Sequence, residues 1–299
     1  MVLIMSNSKV YYVKEINSES LIKIYEALGV ELKGKVAVKL SSGEPGGHNF
    51  LDAKMIEPLV TKLKGTIVVC NTSYGGRRTT TEEHEKVMKE HGFADIAPID
   101  ILDSTGELQL PVVKGKHLKV NYVGKNLENY DSMLMLSHFK GHAMGGFGGA
   151  LKNMSIGVAS RDGKAWIHSA GKTKSSEEVW IQGNFPEQNA FLESMAEADE
   201  AVIEYMRPEN IVYINVANNL SVDCDCDSNP EAPCMEDIGI FASTDPVACD
   251  QACIDEVWNS DDPGKEHFKQ RVERQNGRHI LPYAESLGIG STKYDLVIL

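Results

Sequence analysis

The chain has 299 residues, 42% of them hydrophobic and 24% charged, and carries a formal net charge of −13. That is the composition of a folded chain with a large core. The acidic balance excludes nucleic acid, whose phosphates demand a basic face, and disfavours anionic membrane surfaces. No apolar run approaches the roughly 20 residues of a membrane span, and the opening MVLIMSNSKV lacks the length and basic flank of a signal peptide. A cytoplasmic protein is expected.

In chain order, Lys9 to Ile16 reads as a strand and Ser18 to Leu28 as an amphipathic helix capped by Ser18 or Ser20. Lys35 to Leu40 is a second strand, ending on the polar, glycine-rich stretch from Ser41 to His48. A helix over 53–64 and a strand from Thr66 to Cys70 follow. The next loop contains Gly75-Gly76-Arg77-Arg78 and feeds a helix from Glu82 to His91. Two guanidinium forks beside a helix start suit a phosphate or carboxylate. The same loop also reads as a solvated turn in which Thr81 caps the helix. Ala97 to Leu102 and Leu118 to Val123 read as strands with a polar excursion between them.

The run Met133-Leu134-Met135-Leu136 is a buried strand of a parallel sheet, taken over 131–136. From Ser137 to His168 the chain then concentrates its chemistry. His138 and His142 come just past the strand end, where open α/β sheets bind ligands. Glycines including Gly148 and Gly149 let backbone approach a ligand, Lys152 and Asn153 follow them, and His168 closes the segment. His138 or His142 would serve as acid or base near neutral pH. Lys152 would anchor a carbonyl or an anion, a covalent role that needs a lowered pKa.

Gly171 to Ser176 is a short polar linker, Glu187 to Tyr205 a long helix, and Asn210 to Val216 a buried strand. Ile238 to Ala242 is another strand, and Thr244-Asp245-Pro246 starts a helix with proline in its first turn. Helices over 263–275 and 279–288 lead to a last strand, Leu296 to Leu299. Strands alternating with helices predict an α/β fold, a largely parallel sheet with helices on both faces. The whole chain, 1–299, reads as one domain, with sub-lobes of about 1–130 and 131–299 left open.

Of six cysteines, Cys224, Cys226, Cys234, Cys249 and Cys253 fall in one short stretch. In a reducing compartment such clustering points to a metal or to redox chemistry, not to bridges. Asp223-Cys224-Asp225-Cys226-Asp227, with Cys234, mixes soft thiolates and hard carboxylates. It matches neither a ferredoxin run nor a zinc ribbon, and it also reads as an acidic loop with incidental cysteines. Cys249 and Cys253, four apart on a helix, read as core.

Ser137-His138-Phe139-Lys140-Gly141-His142, followed by Gly146-Phe147-Gly148-Gly149-Ala150-Leu151-Lys152-Asn153, resembles the signature of the family called domain of unknown function 362. Gly43-Glu44-Pro45-Gly46, Tyr74-Gly75-Gly76-Arg77-Arg78, Asp223-Cys224-Asp225-Cys226 and Asp245-Pro246-Val247-Ala248 fit the same pattern. Many members, often labelled Fe–S centre proteins, carry a two-cluster ferredoxin module after the position of His168. Here only the linker around Gly171 to Glu177 stands in that place, so ferredoxin-type 4Fe-4S clusters are not expected. The core is also similar to the amino-terminal domain of nickel-dependent lactate racemase. By that resemblance Arg77 or Arg78 would hold a cofactor phosphate, His138 or His142 and Lys152 would lie at the cofactor, and His168 would ligate a metal. No racemase activity is read from it.

Two functions stay open. One is an enzyme acting on a small anionic substrate, with His138, His142 and Lys152 catalytic, and Arg77, Arg78, Gly148, Gly149 and Lys152 around a cofactor. The other is a metal-binding or electron-transfer accessory protein using Cys224, Cys226 and Cys234. His168 and these cysteines are the candidate ligands for iron, zinc or nickel. Substrate, reaction and oligomeric state are not legible.

Overall fold

A computed structural model describes residues 7–181 and 183–299. The opening Met1–Ser6, part of the stretch judged unlike a signal peptide, lies outside the described residues. Strand β1 (Ser8–Val13) leads into α1 (Ser18–Ala27). Asn17 caps this helix, not a serine: its side chain accepts the Ser20 N–H at 2.8 Å. Then come β2 (Val36–Lys39), α2 (Ala53–Leu63), β3 (Thr66–Val69), α3 (Thr81–Glu90), α4 (Phe93–Ile96) and β4 (Ile99–Ile101). Strands β5 (Glu107–Pro111) and β6 (Val120–Gly124) form a two-stranded sheet of their own, so the strand expected near Leu118–Val123 belongs to a separate hairpin.

Strand β7 (Ser132–His138) returns to the main sheet. After it come a small ribbon, β8 (Lys140–His142) with β9 (Gly146–Gly148), and two helices, α5 (Ala150–Val158) and α6 (Arg161–His168). The rest comprises α7 (Gln188–Met206), β10 (Ile211–Ala217), β11 (Gly239–Ser243), α8 (Pro246–Asn259), α9 (Lys265–Arg274), α10 (Ile280–Leu287) and β12 (Tyr294–Ile298).

The main sheet has eight strands in the order β12-β1-β11-β10-β7-β2-β3-β4. From β10 to β4 all pairs are parallel, whereas β11 runs against both its neighbours. The reason lies in the connections. A parallel pairing needs a crossover, usually helical, and the link from β10 to β11 contains no helix. Strands from before and after residue 130 interleave in this one sheet.

Each central strand alternates its side chains between two cores. Met133 and Met135 face the core built with α5, α7 and α8, while Leu134 and Leu136 face that of α1 and α2. Helices therefore cover both faces, as the apolar runs predict.

The topology also locates the crevice. From β2 the chain moves outward to β3 and β4, then returns to β7 on the other side of β2. At such a switch point, loops leaving the carboxyl ends of β2 and β7 diverge, and a ligand site opens between them.

Candidate functional site

A cavity of about 200 Å³ occupies that position. It is lined from the ends of β2, β3 and β7, from the loops after them, and from α5 and α6. Its charged lining side chains are all basic. Lys39 is the last residue of β2, Lys140 lies on β8, Lys164 on α6 and Arg78 in the loop after β3, all four buried, while Lys152 on α5 is partly buried.

Three of these cations already face anions. Arg78 is held by Glu44 at 2.6 Å and donates to Ser42 Oγ at 3.1 Å. Lys140 pairs with Asp225 at 2.8 Å. Lys152 Nζ donates to Cys224 Sγ at 3.3 Å. Lys39 and Lys164 are different, because their Nζ atoms meet only neutral acceptors. Lys39 donates to the Leu40 carbonyl at 2.6 Å and to Asn153 Oδ1 at 3.0 Å, and Lys164 donates to the Ala159 carbonyl at 2.5 Å. Burial pushes Lys39 down to about 7; Cys70 opposes this, while Lys164, Lys152 and Lys140 add to it. Burial likewise lowers Lys164.

Asn153 fixes the floor. Its Nδ2 donates to the Lys39 carbonyl at 3.1 Å and to Ser137 Oγ at 3.0 Å, tying α5 to β2 and to β7. One turn later Gly157 passes so close that a Cβ there would lie 2.7 Å from Lys39 Nζ. A glycine inside a helix costs about 1 kcal/mol against alanine, and here it clears room for that ammonium.

The histidines divide by role. Both nitrogens of His138 face acceptors, Asp225 Oδ1 at 2.8 Å and the Asn218 carbonyl at 2.6 Å. With neither nitrogen left for a ligand, His138 braces the cysteine loop instead of offering the expected acid–base function. His142 Nδ1 accepts the Gly145 N–H at 2.8 Å, and its ring donates toward Cys224. His168 lines the cavity, with Nδ1–H on the Lys164 carbonyl at 2.7 Å and its ring stacked on Phe191. Its Nε2 is left as an acceptor. Burial keeps His168 at about 3, despite that carbonyl, so at neutral pH the ring is uncharged.

The sulfur atoms of Cys224 and Cys226 lie close together. The hydrogen bond from the Cys226 thiol holds Cys224 well below the usual thiol range, with Lys152 and His142 assisting against burial, and the same bond raises Cys226. Among the described residues, His142, Cys224 and Cys226 bring three ligand atoms within 4.8 Å of one another. Cys234 does not join them: its thiol donates to the Leu220 carbonyl at 3.2 Å. Cys249 and Cys253 are buried in the core of α8, as expected.

The arginine loop differs from expectation. Arg77 is spent at the surface on Glu83 and, through both terminal nitrogens, on Glu90. Arg78 lines the cavity with Glu44 already on its fork. Neither guanidinium is free for a ligand, and the unpaired charge is lysine instead. Gly148 and Gly149 do border the cavity, but a Cβ on Gly149 would come 2.3 Å from Asp250 Oδ1. Lys39, Lys140 and Lys164 escaped the sequence reading. A lysine inside the apolar strand Val36-Ala37-Val38-Lys39-Leu40 was the available signal for the first.

Trp180, between α6 and α7, forms part of one wall. Trp180 donates its indole N–H to the Ser73 carbonyl at 2.8 Å and lies against His168. Among the described residues, no helix is long and apolar enough to cross a membrane.

A sequence model of one family, domain of unknown function (DUF362), matches residues 36–255. No curated protein matches the chain. Among solved structures, the lactate racemase apoprotein from Thermoanaerobacterium thermosaccharolyticum is similar at a TM-score of 0.47 and 14% identity, over 85% of this chain and 57% of that one. A protein from Thermotoga maritima is similar at a TM-score of 0.45 and 14% identity, over 81% of this chain and 58% of the other. The chain thus spans less than two thirds of either structure.

Proposed function

The chain belongs to the family of domain of unknown function DUF362, and from that premise we propose that its cavity binds a small, multiply anionic organic ligand, as substrate or as cofactor. One observation carries the reading: Lys39 and Lys164 are buried at the switch-point crevice with no carboxylate on either ammonium. An uncompensated buried charge costs several kcal/mol, and an anion entering between the two offsets that cost. Neutral acceptors orient the amines, and Asn153 holds the floor rigid, so little reorganisation accompanies binding. Trp180 and His168 supply an apolar, stackable wall for the ligand's organic part.

Inorganic pyrophosphate and citrate are the probes, measured by titration calorimetry. Wild type is expected to bind at least one, and Lys164→Met to weaken it by roughly thirtyfold or more. Affinity should also fall as pH rises from 6 to 8. Lys39, lowered to about 7, is charged below that value and neutral above it. The anion favours the charged form, so binding is lost on the alkaline side. Failure of both anions to bind, or equal binding by Lys164→Met, would end the reading.

A second reading rests on His142, Cys224 and Cys226, a two-thiolate, one-imidazole set with the composition of a catalytic zinc site. The Gly145 N–H on Nδ1 places the ring proton at Nε2, so a metal there must displace that proton. Cobalt(II) titration of the reduced protein should give thiolate charge-transfer bands that vanish in Cys226→Ser and persist in Cys234→Ser. A featureless spectrum for wild type would dismiss this reading.

A further inference from the structure

We infer that Lys39 is a covalent site, whose side-chain nitrogen condenses with the carbonyl carbon of a 2-oxo acid held in the cavity. The inference rests on the anion reading and adds the reacting atom and the ligand class. The sequence assigns such chemistry to Lys152, but Lys152 Nζ lies 3.3 Å from Cys224 Sγ, and a thiolate partner keeps an ammonium protonated. A nucleophilic lysine needs the opposite surroundings: burial, no anionic partner and other cations nearby.

Lys39 has all three. Its two acceptors are a backbone carbonyl and a carboxamide oxygen, and both leave the nitrogen lone pair free once a proton is lost. Lys140, Lys152 and Lys164 surround it with positive charge, and with burial they bring its proton off near neutrality. Gly157 lets the amine pack against α5 where any side chain would collide with it, and both residues line the cavity. A 2-oxo acid matches this arrangement. Its carboxylate would pair with Lys164, the other cation without an anion, and its carbonyl would then face the amine.

The step balances without a redox partner. The amine nitrogen forms a bond to the carbonyl carbon, and its two protons pass in turn to the carbonyl oxygen through solvent. That oxygen then leaves as water while the C=N bond forms. Borohydride traps the imine by adding hydride to carbon, as solvent protonates nitrogen.

The test incubates the purified full chain with 2-oxoglutarate at pH 7, where Lys39 is partly charged and partly neutral, adds borohydride, and maps adducts by peptide mass spectrometry. One adduct is expected, at Lys39, absent in Lys39→Arg and suppressed in wild type by pyrophosphate. The pyrophosphate protection keeps the result interpretable if Lys39→Arg folds poorly. Adducts at Lys152 or Lys164, or spread over surface lysines without protection, would overturn the inference. No adduct on a protein that binds pyrophosphate overturns the condensation alone. No adduct and no anion binding overturns both readings.

Discussion

Replacing Asp225 by alanine should lower the unfolding free energy by about 3–5 kcal/mol. Its carboxylate is buried between His138 Nδ1 and Lys140 Nζ, both at 2.8 Å, and its side chain is only 1% exposed. Removing one partner from such a cluster leaves the other charge without compensation in a medium that cannot solvate it. The Asp225 carbonyl, which the substitution leaves in place, accepts the Glu44 N–H at 2.7 Å and joins the cysteine loop to the loop after β2. Guanidinium chloride melts would measure the loss. Asp225→Asn separates charge from hydrogen bonding, and it should retain part of the stability because a carboxamide oxygen still accepts from His138. Thiol titration supplies a readout of position: the loosened loop should expose Cys224 and Cys226 to reagent. A loss below about 1 kcal/mol, typical of exposed pairs, would show that the brace is not holding the loop.

The elements were legible where periodicity and burial agree. Met133 to Leu136 reads as a buried strand because both its faces are apolar, and β7 is indeed buried on both sides. Helices α5 and α6 were not legible, since Gly157 and Gly163 argue against helix by propensity, and packing overrides propensity there. The location of the cavity was readable from strand ends and glycines, but its charge was not. Arg77 and Arg78 look like an anion site in sequence because Glu44, Glu83 and Glu90 are invisible as their partners until the chain folds. Lys39 lies about a hundred residues before the histidine segment, and only the return of β7 beside β2 brings it there. A largely parallel sheet was expected from the alternation of strands and helices. The reversal at β11 follows from a connection too irregular to be a crossover.

Asp250→Ala should damage stability and ligand binding together, because Asp250 supplies the amino-terminal cap that α5 lacks. Gly149 at that position makes no side-chain cap, and the carboxylate reaches across from α8 to accept the Ala150 N–H at 2.7 Å and the Leu151 N–H at 3.1 Å. Asn215 donates to the same carboxylate at 2.7 Å. Cutting it strands these donors in the core, each worth about 1–3 kcal/mol when left unsatisfied, so a loss of about 3 kcal/mol or more is expected. The pH dependence has a definite sign. Burial raises Asp250 from 3.8 to about 6, against its three donors. A raised carboxyl contributes stability fully present below 3.8, and that contribution is lost as pH rises through about 6. The gap between wild type and Asp250→Ala in urea melts should therefore be widest near pH 4 and narrower at pH 8. Lys152 and Asn153 ride on the first turn of α5, and Asn153 holds Lys39, so a frayed turn also releases the cavity floor. Pyrophosphate affinity should fall in the same variant. A stable Asp250→Ala with weakened binding would instead place Asp250 in contact with the ligand, and a destabilised one with unchanged binding would detach the floor from the cap.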